Sequence, residues 1–258
     1  MQRLTRILSH TNMLRYYYSQ LEPEQKRTCD VIISSLKKYN NTIRISGLRI
    51  SPNDIFNLMS VIDKDYPELF YIDIKQHPIK VISRWNIIEV KVSFIYDADT
   101  IRNYSNRFCE IKNSLVKHVE SKHNNKTKLD CVYSSIAKSV IYNHGIITPM
   151  DYTISGPLLK HTGICEGYAK LFKYFCDAVG IQCLVVTGKG TDKIRNITEN
   201  HAWNMISLDG VHFHHIDVTW DSIRKQNNVQ NDYYLRSDKY MLRDHNWSLQ
   251  IYPRCIDY

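Results

Sequence analysis

Several absences frame the 258-residue chain. No apolar run approaches the roughly 18 residues that a membrane span requires, so no transmembrane helix and no membrane partner are expected. The seven cysteines are odd in number and contain no CxxC pair, which argues against a disulfide framework and a zinc ribbon. Reduced thiols, and with them a cytoplasmic location, are the expectation. The opening MQRLTRILSHTNMLRYYYSQ carries basic residues but no continuous apolar stretch, so it does not read as a signal peptide. Secretion of a processed precursor is the remaining alternative. Internal repeats, low-complexity tracts and a D-x-D-x-D calcium loop are also missing.

What is present is an ordinary globular composition. A hydrophobic fraction of 43% is enough for a packed core, and the length suits one large domain or a catalytic domain with a smaller companion. The formal charge of +8 is spread along the chain. Its densest stretch, Lys117 to Lys128, is interrupted by Glu120 and has no interleaved aromatics, so a solvated surface is favoured over a nucleic-acid partner.

The first part alternates helix and strand signals. A helix is expected over Glu22–Tyr39, with Val31, Ile32 and Leu36 on its apolar side, and a short strand at Thr42–Gly47. Ser51, Pro52 and Asp54 signal a helix start. ELFYIDI and the longer NIIEVKVSFIY (Asn86–Tyr96) read as strands. This gives an N-terminal α/β region over residues 1–97 and a second domain over 98–258. The second domain opens with helices expected at Ala98–Ser121 and Lys126–Asn143, then a glycine- and proline-bearing loop that leads to Cys165. A helix closed by Gly180 follows, then a buried strand, IQCLVVTG, the loop GTDKIRNITEN, and a hairpin, HAWNMISLDGVHFHHIDVTWD.

Cys165 lies in HTGICEGYAKLFKYF, where a polar loop becomes a helix-like repeat. A helix N-terminus stabilises a thiolate through its unpaired N–H groups and dipole. Gly167, lacking a side chain, would leave room for substrate over the sulfur. A buried structural cysteine fits the same stretch. Of the other six, Cys131 and Cys176 fall inside expected helices, Cys183 in an expected buried strand, and Cys29, Cys109 and Cys255 lack a glycine-flanked helix entry; all read as packing.

A cysteine enzyme also needs a base and a group that orients it. His201 opens one hairpin strand and Asp217 lies on the other. If Leu208-Asp209-Gly210 is a three-residue loop with Gly210 left-handed, Ser207 faces Val211, and His201 lies directly opposite Asp217 with Cβ atoms about 4.5–5.5 Å apart. A two-residue Asp209-Gly210 turn would put the pair on opposite faces. Asp221 is the competing carboxylate, further along the strand. His212, His214 and His215 invite a metal, but no acid or cysteine joins them at ligand spacing, and no metal site or cofactor is expected.

Taken together, GICEGYA, ENHAWNMI and HIDVTWD, in that order, resemble the transglutaminase-like superfamily. The tail NDYYLRSDKYMLRDHNW resembles the segment that closes many bacterial members. The resemblance implies an α+β, papain-like core: a helix carrying the cysteine packs on an antiparallel sheet carrying histidine and aspartate. It makes Cys165 the nucleophile, His201 the general base and acid, and Asp217 the orienting carboxylate. Trp203 would then wall the site, with Trp220 packed beneath it. The family's oxyanion hole uses the cysteine N–H and an upstream side chain, for which Tyr152 is the candidate. Related hairpins often have one residue fewer between His and Asp. The implied activity is acyl transfer on amides of peptides or proteins through a thioester. Hydrolysis by a peptidase, amidase or deamidase is favoured, since the chain has no room for the additional sandwich domains of animal transglutaminases. The alternatives are glutamine crosslinking and a noncatalytic binding module.

Overall fold

The computed structural model describes residues 15–85, 87–226 and 232–257. The opening stretch, which does not read as a signal, lies outside them up to residue 14. The chain divides into two compact units, residues 1–107 and 108–258. None of the described helices is long and apolar enough to cross a membrane.

The first unit holds helices α1 (Tyr16–Ser19), α2 (Pro23–Lys37) and α3 (Pro52–Asp65), and strands β1 (Thr42–Ser46), β2 (Ile72–Asp73), β3 (Lys80–Arg84), β4 (Ile87–Lys91) and β5 (Ser93–Phe94). Strands β1, β4 and β3 form an antiparallel sheet in that order, and β2 pairs with β5. Helix α3 starts as its sequence dictates: the Ser51 hydroxyl accepts the Asp54 N–H, and Pro52 fills the first turn. Helix α2 buries Cys29, Ile32, Ile33 and Leu36, the spacing of one helical face. Val31, expected on that face, is 40% exposed. The run expected as one strand holds two, Ile87–Lys91 and Ser93–Phe94, because after Lys91 the chain leaves β4's sheet and pairs with β2; Asn86 lies outside the described residues. The edge strand β3 has no readable alternation; nearly all of it is solvated.

Helix α4 (Ala98–Glu120) starts at the sequence-based boundary and spans the division between the units. The second unit continues with α5 (Asn125–Ser139), β6 (Ile141–Tyr142), a 3-10 turn (Pro149–Tyr152), α6 (Ser155–Lys160), β7 (Thr162–Gly163) and α7 (Cys165–Ala178). Strands β8 (Gln182–Asp192), β9 (Ile197–Ser207) and β10 (Phe213–Ile216), helix α8 (Val218–Gln226), β11 (Tyr234–Arg236), α9 (Asp238–Met241) and β12 (His245–Asn246) complete it. The five strands run antiparallel in the order β11–β10–β9–β8–β12. This is the α+β arrangement expected, with the cysteine's helix against the sheet.

Helix α7 is buried along almost its whole length, Lys170 and Lys173 included. The Lys173 ammonium lies 3.1 Å from Asp177 Oδ1 and donates to the Cys183 carbonyl at 2.9 Å, which compensates its burial. Asn204 on β9 donates to the Ala169 carbonyl at 3.0 Å and so fastens the helix to the sheet. The stretch expected as a loop, GTDKIRNITEN, is mostly ladder, since β8 and β9 pair from Gln182↔Ser207 to Asp192↔Ile197. Gly188 and Gly190 therefore sit inside a strand. A Cβ on Gly188 would collide with the Asn246 carbonyl, and one on Gly190 would lie 2.8 Å from Trp220 Cζ2. Both glycines let neighbouring groups close onto the sheet.

Gly167 has a similar role, which corrects the expectation of open space over the sulfur. The volume beside it is filled by the Asp151 and Thr153 carbonyls, not left for substrate. Gly167→Ala is expected to lower the unfolding free energy by about 1–3 kcal/mol in a denaturant titration. Gly145→Ala, whose added Cβ would meet only Asn143 Oδ1 at 3.4 Å, is expected to cost less than about 0.5 kcal/mol. Equal stability of the two variants would contradict this packing.

Candidate active site

Cys165 is the first residue of α7, and the extended Ile164 before it caps the helix. The Ile164 N–H donates to the Asp151 carbonyl at 3.3 Å, so the 3-10 turn fixes how the chain enters the helix. The thiol sits at the positive end of the α7 dipole, the setting that favours a thiolate. It is 9% exposed and packs against Ala169, Val185 and Ala202.

His201 projects from β9 near enough to Cys165 for the cysteine to help favour its charged form. Its Nε2 lies 2.6 Å from Asp217 Oδ2. Nε2 faces the carboxylate, so Nδ1 is the nitrogen left for the sulfur. Burial disfavours the imidazolium, but the Asp217 charge and hydrogen bond, helped by Cys165, outweigh it and raise the histidine to about 10.

Asp217 is buried at the junction of β10 and α8. The VTWD run, read as strand, is the first turn of a helix. Asp217 caps it: Oδ1 accepts the N–H groups of Thr219 and Trp220, both at 3.0 Å. Oδ2 accepts from His201 and, at 3.2 Å, from His245 Nε2. Burial alone would push this carboxyl up, yet the two histidines hold it well below the usual carboxylate range. It stays ionised, with a donor for each of its lone-pair directions.

The hairpin register differs from the expected one. Ser207 pairs with Phe213, not Val211, so the loop is five residues long. Asp209 Oδ1 accepts the N–H groups of Val211 and His212 at 2.8 Å each, which draws both residues out of the ladder. The shift is two residues, an even number, so Asp217 keeps the face that His201 occupies. It reaches the ring from a diagonal position rather than from directly opposite.

The competing acid, Asp221, is engaged elsewhere. It accepts the Tyr133 hydroxyl at 2.7 Å and the N–H groups of Asp232 and Tyr233, and burial raises it to about 6. The two tryptophans exchange their expected places. Trp203 is only 1% exposed; it stacks on His201 with ring centroids 5.8 Å apart and donates from Nε1 to His215 Nδ1 at 2.9 Å. Trp220 is half-buried, with its ring 5.2 Å from His201. Tyr152 is half-exposed at the end of the 3-10 turn.

Two residues that sequence reasoning missed belong to the site. Tyr142 on β6 is raised to about 12, first by burial and next by the nearby charge of Cys165. Its phenol therefore stays protonated. Tyr142 pairs with Gly163, two residues before Cys165, but this pairing is parallel and leaves no short-range signal. His245, in the quoted tail, touches Asp217 from the far end of the chain.

Among the described residues, two buried groups bring possible metal ligands together: His201, Asp217 and His245; and His215, Asp238 and Cys255. In the first, the acceptor and donor positions are occupied by the hydrogen bonds above. In the second, His215 accepts from Trp203 and holds Asp238 Oδ1 at 2.9 Å from Nε2. In both groups hydrogen bonds join the histidines to the carboxylates. None of the seven cysteines is in a disulfide.

Known proteins resemble the chain over part of its length. Residues 113–218, which include Cys165, His201 and Asp217, match the family model described as the transglutaminase-like superfamily. Kyphoscoliosis peptidase of Mus musculus and of Homo sapiens are each 33% identical over 110 residues, covering 36% of this chain. The match spans 16% of those relatives' own length. Among solved structures, the periplasmic domain of TgpA from Pseudomonas aeruginosa aligns at 15% identity and TM-score 0.35, covering 56% of this chain and 57% of that one. A structure described as a TGase aligns at 14% identity and TM-score 0.37, covering 77% of this chain and 54% of that one. Residues 113–218 thus carry a transglutaminase-like domain, the superfamily that the chain's own motifs resemble.

Proposed function

We propose that the chain is a cysteine-dependent acyl-transfer enzyme that acts on amides of peptides or proteins, with water as the usual acceptor. The observation that carries this reading is the 2.6 Å contact between His201 Nε2 and an ionised Asp217, with Cys165 adding to the charge that holds the imidazolium. A buried cysteine that served only packing would not require a buried acid to keep its neighbouring histidine charged.

The chemistry follows from these positions. The Cys165 thiolate attacks the amide carbonyl carbon, forming the S–C bond and an oxyanion. The Cys165 N–H at the start of α7 and the Tyr142 hydroxyl are the proposed donors to that oxygen, with Tyr142 replacing Tyr152 in the role. As the C–N bond breaks, His201 Nδ1 gives its proton to the leaving amine. Neutral His201 then takes a proton from water as the water oxygen bonds to the thioester carbon; the C–S bond breaks, releasing the acid and restoring the Cys165 thiolate and the imidazolium. Asp217 holds the imidazole through both steps and stabilises its charge. Hydrolysis is favoured because the curated relatives that match are named as peptidases. An amine in place of water would give crosslinking through the same thioester.

Incubating the protein with a glutamine-rich casein and a labelled amine, followed by mass spectrometry, separates the outcomes. Cleaved or deamidated casein without label is expected. Incorporated amine would shift the reading to transglutaminase activity, and unmodified casein that is merely retained would favour a binding module. With casein as substrate, Cys165→Ala is expected to abolish turnover, and Asp217→Asn to reduce it by roughly 10²–10⁴. Tyr142→Phe should lower kcat by about 10²–10³ if its hydroxyl serves the oxyanion. The imidazolium is the proton donor, so turnover should persist through neutral pH and fall on the alkaline side near the raised His201 value of about 10. A fall centred on the ordinary histidine value of 6.5 would contradict the Asp217 pairing.

A further inference from the structure

Two histidines reach Asp217, and the proposed chemistry uses one of them. We propose that the other, His245, is a positioning residue for the triad: with Asp244 it forms a second histidine–carboxylate pair that holds the Asp217 carboxylate in line with His201. This inference rests on the acyl-transfer reading of Cys165.

The contacts close a ring. The Asp217 N–H donates to the Tyr233 carbonyl at 2.9 Å, and the Tyr233 hydroxyl donates to Asp244 Oδ2 at 2.7 Å. Asp244 Oδ1 lies 2.7 Å from His245 Nδ1, and His245 Nε2 returns to Asp217 Oδ2 at 3.2 Å. Asp217 is thereby held through both its main chain and its side chain. Each ring nitrogen of His245 lies within hydrogen-bond distance of a carboxylate oxygen, Nδ1 at Asp244 and Nε2 at Asp217. A residue present only to fill volume would be indifferent to where its nitrogens point. His245 is aimed at two acids at once.

Its mounting suits the task. Strand β12 pairs with β8, His245 opposite Gly190, and the Thr191 N–H donates to the Asp244 carbonyl at 2.8 Å. Gly190 also lies under His201, whose Cβ would be 3.3 Å from a Cβ added there. The second pair is therefore fixed to the strand that borders the catalytic histidine. The groups that face His245 are Asp217 and Trp220 at the start of α8, Asp244 beside it, Tyr233 before β11, and His201 and Trp203 on β9. His215 on β10 interacts with it from further off. Without the His245 N–H, Asp217 Oδ2 keeps a buried lone pair with no donor and is freer to turn from His201.

The test is the rate of Cys165 alkylation by iodoacetamide, followed across pH by peptide mass spectrometry on the full chain. It needs no physiological substrate and reports how readily the thiolate forms beside the imidazolium. His245→Phe fills the space without an N–H. Its acid limb is expected to move to higher pH by about one unit, hence about tenfold slower labelling on the acid side. His245→Gln, which keeps an N–H near the Nε2 position, should restore most of the wild-type limb. Asp244→Asn should shift it in the same direction as His245→Phe, by less.

A folded His245→Phe protein with the wild-type limb would overturn the proposal. If His245→Phe does not fold, Asp244→Asn and His245→Gln decide: a shift in the first with recovery in the second supports it, and wild-type limbs in both overturn it. Should wild-type Cys165 label no faster than the exposed Cys109, the acyl-transfer reading itself fails, and this inference with it. That result is separate from a reactive Cys165 that ignores His245.

Discussion

Everything at the site depends on one buried carboxylate and its four donors. An ionised Asp217 in the interior would cost several kcal/mol if left unmet. Two main-chain N–H groups from the first turn of α8 and two imidazoles remove that penalty. Half of its partners are backbone, so the carboxylate is placed by the folding of a helix rather than by side-chain rotamers. The same side chain that begins α8 therefore fixes the histidine that meets the nucleophile. Nucleophile and acid are each set at a helix start, one at the first residue of α7 and one as the cap of α8.

Much of this was legible in the chain. Cysteine, histidine and aspartate were identifiable from their motifs and order, and the five-stranded sheet stands against the cysteine's helix as the resemblance implied. The hairpin register was not legible, because the Asp209 side chain takes turn N–H groups that a shorter loop would have left to the ladder. The parity survived since the shift was even. Val218, Thr219 and Trp220 are β-branched or aromatic and favour a strand, yet the cap at Asp217 turned them into helix. Local preference yielded to a tertiary demand.

The misreadings share a cause. Gly167 looked like a void over the sulfur, but a distant turn fills it. The burial of Trp203 follows from its bond to His215, and Trp220 packs edge-on against Tyr233, neither of which strand or helix periodicity brings into view. Tyr142 reaches the site through a parallel pairing, and His245 through an edge strand at the far end of the sheet. Neither leaves a short-range pattern. The region matched by the superfamily model ends at residue 218, before β11, α9 and β12. The second histidine–carboxylate pair thus lies outside the matched part of the chain, although it touches the triad directly.

The most direct measurement compares thiols within one molecule. Cys109 is exposed whereas Cys165 is nearly buried. If accessibility governs, a limiting dose of a thiol reagent at neutral pH labels Cys109 first. A sulfur activated by His201 and Asp217 predicts the reverse, with Cys165 labelled first and that preference lost in His201→Ala. Labelling that follows exposure in both proteins would contradict a working triad.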